Sequence, residues 1–434
     1  MKILIGQEFF SVRNGNPKNI YLDYEKVINP HLILVGGSGT GKTYNLRRIL
    51  KAISEKNNNV RFHIMDVHGD IELENSSTVK FSETTNYGLQ PLKLSTDPDF
   101  GGVRKRIRSF INALNRTSRK LGTKQEPVLF NLIQDLYAAR GIYANNPKTW
   151  NETDKRKYPT LTDLKRWIEY KLKQMLFGTS SKSLRSLEEV KKLKLQLDRK
   201  IKNKLKAKND EEIAKLEEQI NKLKEKIKEE FANGIDNLGN GFEIDDLIKY
   251  DSPDVIKSLL DRITILESSG IFKNQPPKFD LNKPIWRYDI KALNRDEQKL
   301  FVSILAEDIF LKVKEKGETK LPREFIVIDE ASIFLQNADD EYILNIIARE
   351  ARKFGLGLIL ATQSLEHIPN DIIESTASKI ILGVDETKMD ITAKKLQVDK
   401  QKLKYIVPRK SALVQIKEGG KNYSPFQNVI LDIR

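Results

Sequence analysis

The stretch Gly36-Gly37-Ser38-Gly39-Thr40-Gly41-Lys42-Thr43 follows the apolar segment 31–35 and precedes a run, 44–56, with apolar residues at helical spacing. Its spacing matches G-x-x-x-x-G-K-[ST], in which successive backbone N–H groups surround phosphate oxygens at the N-terminus of a helix. Glycines are required because several backbone positions of such a turn are strained for a residue with a Cβ atom. The strand, turn and helix together predict a nucleotide phosphate site in an α/β fold.

Individual residues of this turn, the P-loop (36–43), supply different parts of the predicted site. Lys42 is expected to neutralise the β- and γ-phosphates of ATP, and the Thr43 hydroxyl to ligate Mg²⁺. The other predicted nucleotide-binding residues are Gly37, Ser38, Gly39, Thr40, Gly41 and Tyr44. The alternative is an ordinary Gly-rich turn between a strand and a helix, which the match over the full motif disfavours.

The composition narrows the classes of protein that the chain can belong to. Its 434 residues include no cysteine, which excludes disulfides, thiolate metal sites and cysteine nucleophiles. The apolar runs 325–328 and 356–361 are too short to span a bilayer, and the N-terminal residues show no signal pattern. A net charge of +15 gives weak support for a nucleic-acid partner. These features predict a soluble, cytoplasmic protein without a membrane partner.

A second chemical motif lies at residues 324–330, where an apolar run is followed by Asp329 and Glu330. The pattern is typical of a buried parallel strand that ends in two carboxylates. Asp329 is expected to hold Mg²⁺, directly or through water, and Glu330 to polarise the water that attacks the γ-phosphate. The alternative is a strand that ends in solvated acids.

Polar residues also end two other predicted core strands. Gln363 follows the strand predicted within residues 355–361, where it either reports γ-phosphate occupancy to the rest of the protein or is a polar strand end that faces water. Asp66 and His68 follow the strand predicted over residues 60–65. Open α/β sheets place ligands at the carboxyl ends of their strands, so both are expected to border the nucleotide or a substrate channel, with turn capping as the alternative.

Two segments in the middle of the chain are rich in charge. Residues 101–121 predict a basic helix that either faces phosphates or is only solvated. Residues 184–231 carry apolar residues at spacings of three and four, the pattern of a coiled coil. Residues 184–208 have ten Lys or Arg against three Asp or Glu, and residues 209–231 have five against eight. The segment predicts an antiparallel hairpin turning near residues 208–210, either a docking site or an inert insertion.

The block ARKFGLGLILATQS, residues 351–364, completes a resemblance to a known family. Together with both motifs above, it makes the chain similar to the HerA helicases, in the HerA and FtsK group of ring-forming ATPases that pump double-stranded DNA. The resemblance is specific at the P-loop, at the acidic strand end and across residues 352–363. It is weaker across residues 66–70 and 285–290.

The resemblance implies phosphate and metal roles for the P-loop and Asp329, and makes Glu330 the catalytic base. It implies that Arg352 enters the nucleotide site of the neighbouring subunit, with Arg349 as the second candidate. An arginine supplied in trans acts only between adjacent subunits, so a ring, typically a hexamer in this family, is implied. Family members usually carry a longer β-barrel before the P-loop, whereas here residues 1–35 precede it.

The predicted fold is a RecA-like P-loop ATPase core with a mostly parallel sheet and a large helical insertion. We predict a short N-terminal β segment (1–30) and a first part of the core (31–99). A helical insertion (100–283), which includes the coiled-coil hairpin at 184–231, then separates this part from the second part of the core (284–434).

The leading functional hypothesis is a homohexameric ATPase, a translocase or helicase that threads double-stranded DNA through a basic central channel. It would work with a nuclease or another effector protein in DNA end processing or antiviral defence. One alternative is a nucleotide-gated scaffold ATPase that assembles and switches an effector enzyme without pumping DNA. Another is a motor for conjugation or genome packaging, which shares the same core.

Overall fold

The chain forms two compact units in a computed structural model that describes residues 1–57, 59–177, 181–206, 209–236, 249–336, 338 and 340–431. The first unit comprises Met1–Lys120, Ile142–Tyr158 and Ser268–Arg434, and the second comprises Leu121–Gly141 and Pro159–Glu267. Residues 100–120, which the sequence placed in the helical insertion, belong to the first unit. The division of the sequence at residues 30, 99 and 283 stays a prediction.

The first unit is built around one sheet, which has eleven strands within the described residues. The strands are β1 (Lys2–Glu8), β2 (Asn19–Asp23), β3 (Leu32–Val35), β4 (Arg61–Asp66), β5 (Ser76–Lys80), β6 (Ile285–Asp289), β7 (Glu324–Ile328), β8 (Leu356–Thr362), β9 (Ser378–Ile381), β10 (Ser411–Ile416) and β11 (Gln427–Leu431). Their spatial order is β2-β1-β11-β10-β9-β3-β8-β7-β4-β6-β5. The sheet is parallel from β9 to β5 and antiparallel from β2 to β9. The predicted mostly parallel α/β core is therefore confirmed.

The described residues form helices in both units. The first seven are α1 (Phe9–Arg13), α2 (Lys42–Lys56), α3 (Val103–Leu114), α4 (Gln125–Ala139), α5 (Leu161–Phe177), α6 (Ser181–Lys204) and α7 (Asp210–Asp236). The others are α8 (Pro253–Ser268), α9 (Arg295–Glu315), α10 (Ser332–Leu335), α11 (Ile343–Glu350), α12 (Asn370–Ser375), α13 (Met389–Leu396) and α14 (Lys400–Lys404). Short 3-10 turns occupy Pro147–Thr149, Ala351–Phe354 and Glu386–Lys388. Among the described residues, no helix has both the length and the apolarity needed to cross a membrane.

The core of the first unit explains where the P-loop lies. Strand β3 is apolar and fully buried, as expected for a strand in the middle of a parallel sheet. Helix α2 turns one apolar face to the same core, through Leu46, Ile49, Leu50 and Ile53. Each such side chain contributes about 1.5–3 kcal/mol by burial, so the strand and the helix hold the loop between them from both ends.

The N-terminal β segment is part of the main sheet, since β1 pairs with β11 and β2 pairs with β1. Strand β5 was not predicted: it lies at one edge of the sheet and its exposed face is polar, so it lacks an apolar run. Residues 389–404 form two helices, α13 and α14, because Gln397 adopts a left-handed conformation (φ 54°) that ends α13. The other predicted core strands agree with the structure to within a few residues at each end.

In the second unit, α6 and α7 form an antiparallel hairpin. Lys204 near the end of α6 makes an ion pair with Glu217 in α7. At the other end, an ideal Cβ atom on Gly234 would lie 3.5 Å from Ser186 Cβ. Residue 208 of the predicted turn lies outside the described residues. The hairpin agrees with the charge pattern of the sequence, and its coiled-coil character stays a prediction.

Candidate nucleotide site

The P-loop connects β3 to α2 at the carboxyl edge of the parallel strands. Gly39 (φ 76°) and Gly41 (φ 90°) take left-handed conformations, which explains glycine at both positions. The Thr40 hydroxyl donates a hydrogen bond to the Gly37 carbonyl (2.8 Å) and Thr40 is buried. Thr40 therefore supports the loop from within.

Strand β7 delivers the two carboxylates to the P-loop lysine. Lys42 Nζ lies 3.0 Å from Glu330 Oε2 and 3.4 Å from Asp329 Oδ1. Gln363, at the end of the adjacent strand β8, donates from Nε2 to the same Glu330 oxygen (3.0 Å). Residues from three separate elements, far apart in sequence, thus meet within a few ångströms at one end of the site.

Glu330 has an unusual backbone and a fully engaged carboxylate. Its φ of 57° lies in the left-handed region, and its other oxygen accepts from the Ser332 hydroxyl (3.2 Å). Burial raises the pKa of Glu330, but the Lys42 charge and the hydrogen bonds from Lys42, Gln363 and Ser332 outweigh that effect and place the pKa below its ordinary value. The side chain is consequently a carboxylate at neutral pH, the form that a general base requires.

Asp329 lies in a cluster of three carboxylates. Burial raises its pKa above the ordinary value, and the Lys42 ammonium opposes that rise. One oxygen each of Asp66, Asp70 and Asp329 lies within 4.8 Å of the others. Both oxygens of Asp66 are already used, since they accept from Arg287 Nε (2.7 Å), Gly69 N (2.7 Å) and Ile71 N (3.0 Å).

The donor set suits a hard cation. Asp329, Asp70 and the Thr43 hydroxyl all border the same cleft and all offer oxygen atoms, the ligands that Mg²⁺ prefers. Asp66, by contrast, closes the turn over residues 66–71 and does not border the cleft. Of the two alternatives for Asp66, turn capping describes the structure, while His68 does border the cleft.

The cleft has a volume of about 600 Å³, in the range of pockets that hold small-molecule ligands. Its lining residues are Gly36, Gly37, Ser38, Gly39, Gly41, Lys42, Thr43, Tyr44, Asn45, His68, Asp70, Asp329, Glu330, Gln363 and Arg409. Every predicted nucleotide-binding residue except Thr40 is in this set, as are Asp329, Glu330 and Gln363. Their chemical roles stay predictions, and the geometry brings them together.

Arg352 is absent from the cleft of its own chain. It lies exposed in the 3-10 turn before β8, at the amino edge of the parallel strands, next to His31, which precedes β3. Burial and the Arg352 charge lower the pKa of His31 to about 4. Arg349 is bonded locally, because its guanidinium contacts the backbone and side chain of Asp340.

The lining residues that reasoning from the sequence missed include Asp70 and Arg409. Asp70 was missed because Asp66, four residues earlier, is the acid that lies directly at the end of the predicted strand. Arg409 stands in the loop before β10 and reaches Gly39, to which its Nε donates a hydrogen bond (2.9 Å). No local pattern marks Arg409, since one basic residue in a loop is common and its contact crosses most of the chain.

These features define a class of protein. A mostly parallel α/β sheet with a P-loop at its carboxyl edge, beside a strand that ends in acidic residues, is the arrangement of P-loop NTPases. The chain belongs to the HerA helicase family: the family described as "Helicase HerA, central domain" matches residues 11–309. The matched range includes the P-loop and ends before β7, so the placement of Asp329 and Glu330 rests on the structure.

Two HerA proteins are similar to parts of the chain. The "DNA double-strand break repair helicase HerA" of Sulfurisphaera tokodaii is 33% identical over 105 residues, 23% of this chain and 21% of that protein. The "Probable DNA double-strand break repair helicase HerA" of Methanocaldococcus jannaschii is 31% identical over 162 residues, 37% of this chain and 28% of that protein. The matches thus span under a third of each relative's length.

Solved structures share the fold over the whole chain. VirB4 of Thermoanaerobacter pseudethanolicus aligns with a TM-score of 0.61 and 13% identity, and covers 100% of this chain and 96% of that one. The plasmid coupling protein TrwB, in complex with a non-hydrolysable ATP analogue, aligns with a TM-score of 0.55 and 13% identity, covering 100% and 95%. At this identity the likeness shows the fold, and it confirms the predicted RecA-like core.

Proposed function

We propose that the protein hydrolyses ATP at this cleft with Mg²⁺ and uses the energy to move double-stranded DNA. The observation that carries the proposal is the convergence of Lys42, Asp329, Glu330 and Gln363 at one end of a P-loop cleft. A cation, two acids and an amide are the groups that phosphoryl transfer to water requires, because such catalysis is mainly positioning and charge stabilisation.

Lys42 links ATP binding to the base. In the structure the Lys42 ammonium forms an ion pair with Glu330. The γ-phosphate of bound ATP would offer this ammonium a partner with more negative charge. Transfer of Lys42 to the phosphate leaves Glu330 held by Gln363 and Ser332, with a carboxylate oxygen available to accept a proton from water. When bound, Mg²⁺ neutralises charge on the phosphates, and the oxygens of Thr43, Asp329 and Asp70 are the groups that would hold it.

The DNA and assembly parts of the proposal rest on three further observations. The chain belongs to the HerA family, its net charge is +15, and the two similar HerA proteins are named as DNA repair helicases. The exposed position of Arg352, at the edge of the sheet opposite the P-loop, supports a ring in which it completes the next subunit's site. A hexamer and an effector partner in end processing or defence belong to the same proposal.

The test is ATP turnover by the full chain with and without duplex DNA. We expect duplex DNA to raise turnover, and the stimulation to fall steeply with salt, because phosphate contacts release counterions. Lys42→Ala is the inactive control that excludes a contaminating ATPase. Turnover that ignores DNA in a homogeneous oligomer would contradict the DNA part of the proposal and favour a nucleotide-gated scaffold.

A further inference from the structure

Arg409 is held against the P-loop from a distant part of the chain. It lies between α14 and β10, its backbone N–H donates to the Thr40 carbonyl (3.2 Å) and its Nε donates to the Gly39 carbonyl (2.9 Å). An ideal Cβ atom on Gly41 would lie 3.7 Å from Arg409 Cγ. Arg409 is thus positioned by the loop that is expected to carry the phosphates, and it belongs to the same chain as that loop.

The backbone of Arg409 takes a conformation that favours glycine. Its φ is 66°, and a left-handed conformation costs an L-residue with a side chain roughly 1–2 kcal/mol. Within the described residues the other non-glycine examples are Asn75, Asp251, Glu330 and Gln397. Arg409 and Glu330 both line the nucleotide cleft. Such conformations persist at positions where the surrounding structure enforces them, and they are common at ligand sites.

The charge of Arg409 faces the cleft. Arg409 borders the cleft. Across the described residues, no carboxylate forms an ion pair with it, and its Nη1 and Nη2 groups make no hydrogen bond. A guanidinium offers a planar pair of donors that matches two phosphate oxygens, and it stays charged at any physiological pH. The Nε bond to Gly39 fixes the plane of this group and leaves its outer nitrogens for a ligand.

The surroundings of Arg409 indicate which phosphates it meets. Lys42, Glu330 and Gln363 converge where the γ-phosphate of a P-loop ligand lies, since the P-loop lysine reaches the β- and γ-phosphates. Within the part of the chain that the structure describes, Arg409 makes no hydrogen bond or ion pair with these three side chains, and it lies instead against Gly39 and Gly41 at the start of α2. The loop backbone on that side is expected to surround the α- and β-phosphates, which remain after γ-phosphate transfer.

We propose that Arg409 is a nucleotide-binding residue that contacts the non-transferred α- and β-phosphates of the nucleotide held by its own P-loop. The inference rests on the proposed nucleotide site and adds a second cation to it. Arg409 acts within one subunit, in contrast to the role proposed for Arg352. Because ADP keeps the α- and β-phosphates, Arg409 should contribute equally to ADP and ATP binding.

The experiment is calorimetric titration of the full chain with ADP and, separately, with ATP in the presence of Mg²⁺. Replacement of Arg409 by Gln should weaken both affinities by about tenfold or more, the usual effect of losing a charge-assisted hydrogen bond. Lys410→Gln is the matched control, because Lys410 is an exposed neighbour that carries the same charge. Its affinities should stay within about twofold of the wild type.

A second pair of variants separates binding from folding. Arg409→Gly removes the side chain and relaxes the left-handed backbone, so the melting temperature should not fall while both affinities do. Gln397→Gly relaxes the same conformation at the end of α13, which does not line the cleft, and should leave both affinities unchanged.

The outcomes distinguish this inference from the proposed function. Wild-type affinity for ADP in Arg409→Gln and Arg409→Gly would overturn the inference, even if DNA stimulates turnover. A loss confined to ATP would place Arg409 at the γ-phosphate and overturn it as well. Weakened binding of both nucleotides in a protein whose turnover ignores DNA would support Arg409 as a nucleotide ligand and contradict the proposed motor.

Discussion

Glu330 combines a left-handed backbone with a carboxylate that three side chains hold in place. Lys42, Gln363 and Ser332 donate to its two oxygens, and its backbone has a φ of 57° just after the end of β7. The next residue, Ala331, donates its N–H to the Ala361 carbonyl (2.8 Å), which ties the turn to β8. A side chain held this firmly can present one oxygen to a water molecule without a change of rotamer.

Replacement of Glu330 by Gln tests its role as the base. The amide keeps the size of the side chain but cannot accept a proton, so ATP binding should persist while turnover falls by about 10²–10⁴-fold. Radiolabelled phosphate release measures turnover, and filter binding of ATP measures affinity. Glu341→Gln removes an acid that is exposed and lies outside the cleft, so it should behave as the wild type. Normal turnover by Glu330→Gln would refute the assignment.

At the scale of elements, the register of β7 and β8 sets the spacing of the site. The two strands pair in parallel, with Phe325 opposite Gly357. The Phe325 ring stacks on Phe62 (5.3 Å between centroids) and packs edge-on to Tyr24 (5.5 Å). Glycine at position 357 leaves the space that this ring occupies, and the ends of the two strands carry Glu330 and Gln363 to the same point.

Gly357→Ala should destabilise the protein without touching the cleft. The added Cβ atom would lie 2.3 Å from Phe325 Cδ1 and 3.2 Å from the Pro30 carbonyl oxygen, and the Phe325 ring is fully buried. Overpacking of this kind costs about 1–3 kcal/mol of unfolding free energy, which urea denaturation can measure. Gly419→Ala is the control, since its Cβ atom meets only the Lys26 carbonyl oxygen at 3.6 Å. Equal stabilities for the two variants would disprove the packing argument.

At the scale of the whole molecule, Arg352 lies at the amino ends of the parallel strands and the P-loop lies at their carboxyl ends. Strand β8 has seven residues and separates them by roughly 20 Å at about 3.3 Å per residue. An arginine side chain cannot cover that distance, so Arg352 has no path to its own cleft. A ring of head-to-tail copies would bring the amino edge of one subunit to the carboxyl edge of the next.

Mixing of two inactive variants tests action in trans. Arg352→Ala and Lys42→Ala should each abolish most turnover, but an equal co-expressed mixture should regain about a quarter of the sites, those that pair an intact P-loop with an intact arginine. Phosphate release by the purified mixture is the measurement. Arg349→Ala should retain turnover, because Arg349 contacts Asp340 in its own chain. Failure to regain turnover at any ratio would rule out a trans arginine.

The sequence by itself determined the parts of the site that depend on local backbone and burial. The P-loop needs glycine at two left-handed positions. The apolar strand that ends in Asp329 and Glu330 can be recognised from its own residues, without knowledge of the strands beside it. The buried strands β3, β7 and β8 were predictable for the same reason, whereas β5 was not, because a polar edge strand lacks an apolar run.

Only the tertiary structure decided what meets in space. Strand β8 lies between β3 and β7, and that order, which no local pattern encodes, brings Gln363 to Glu330 and places the P-loop beside both. It also brings Arg409 to Gly39 across 370 residues of chain. Local sequence constrains dihedral angles and burial, but contacts between distant residues follow from which strands pair, and that choice belongs to the packing of the whole sheet.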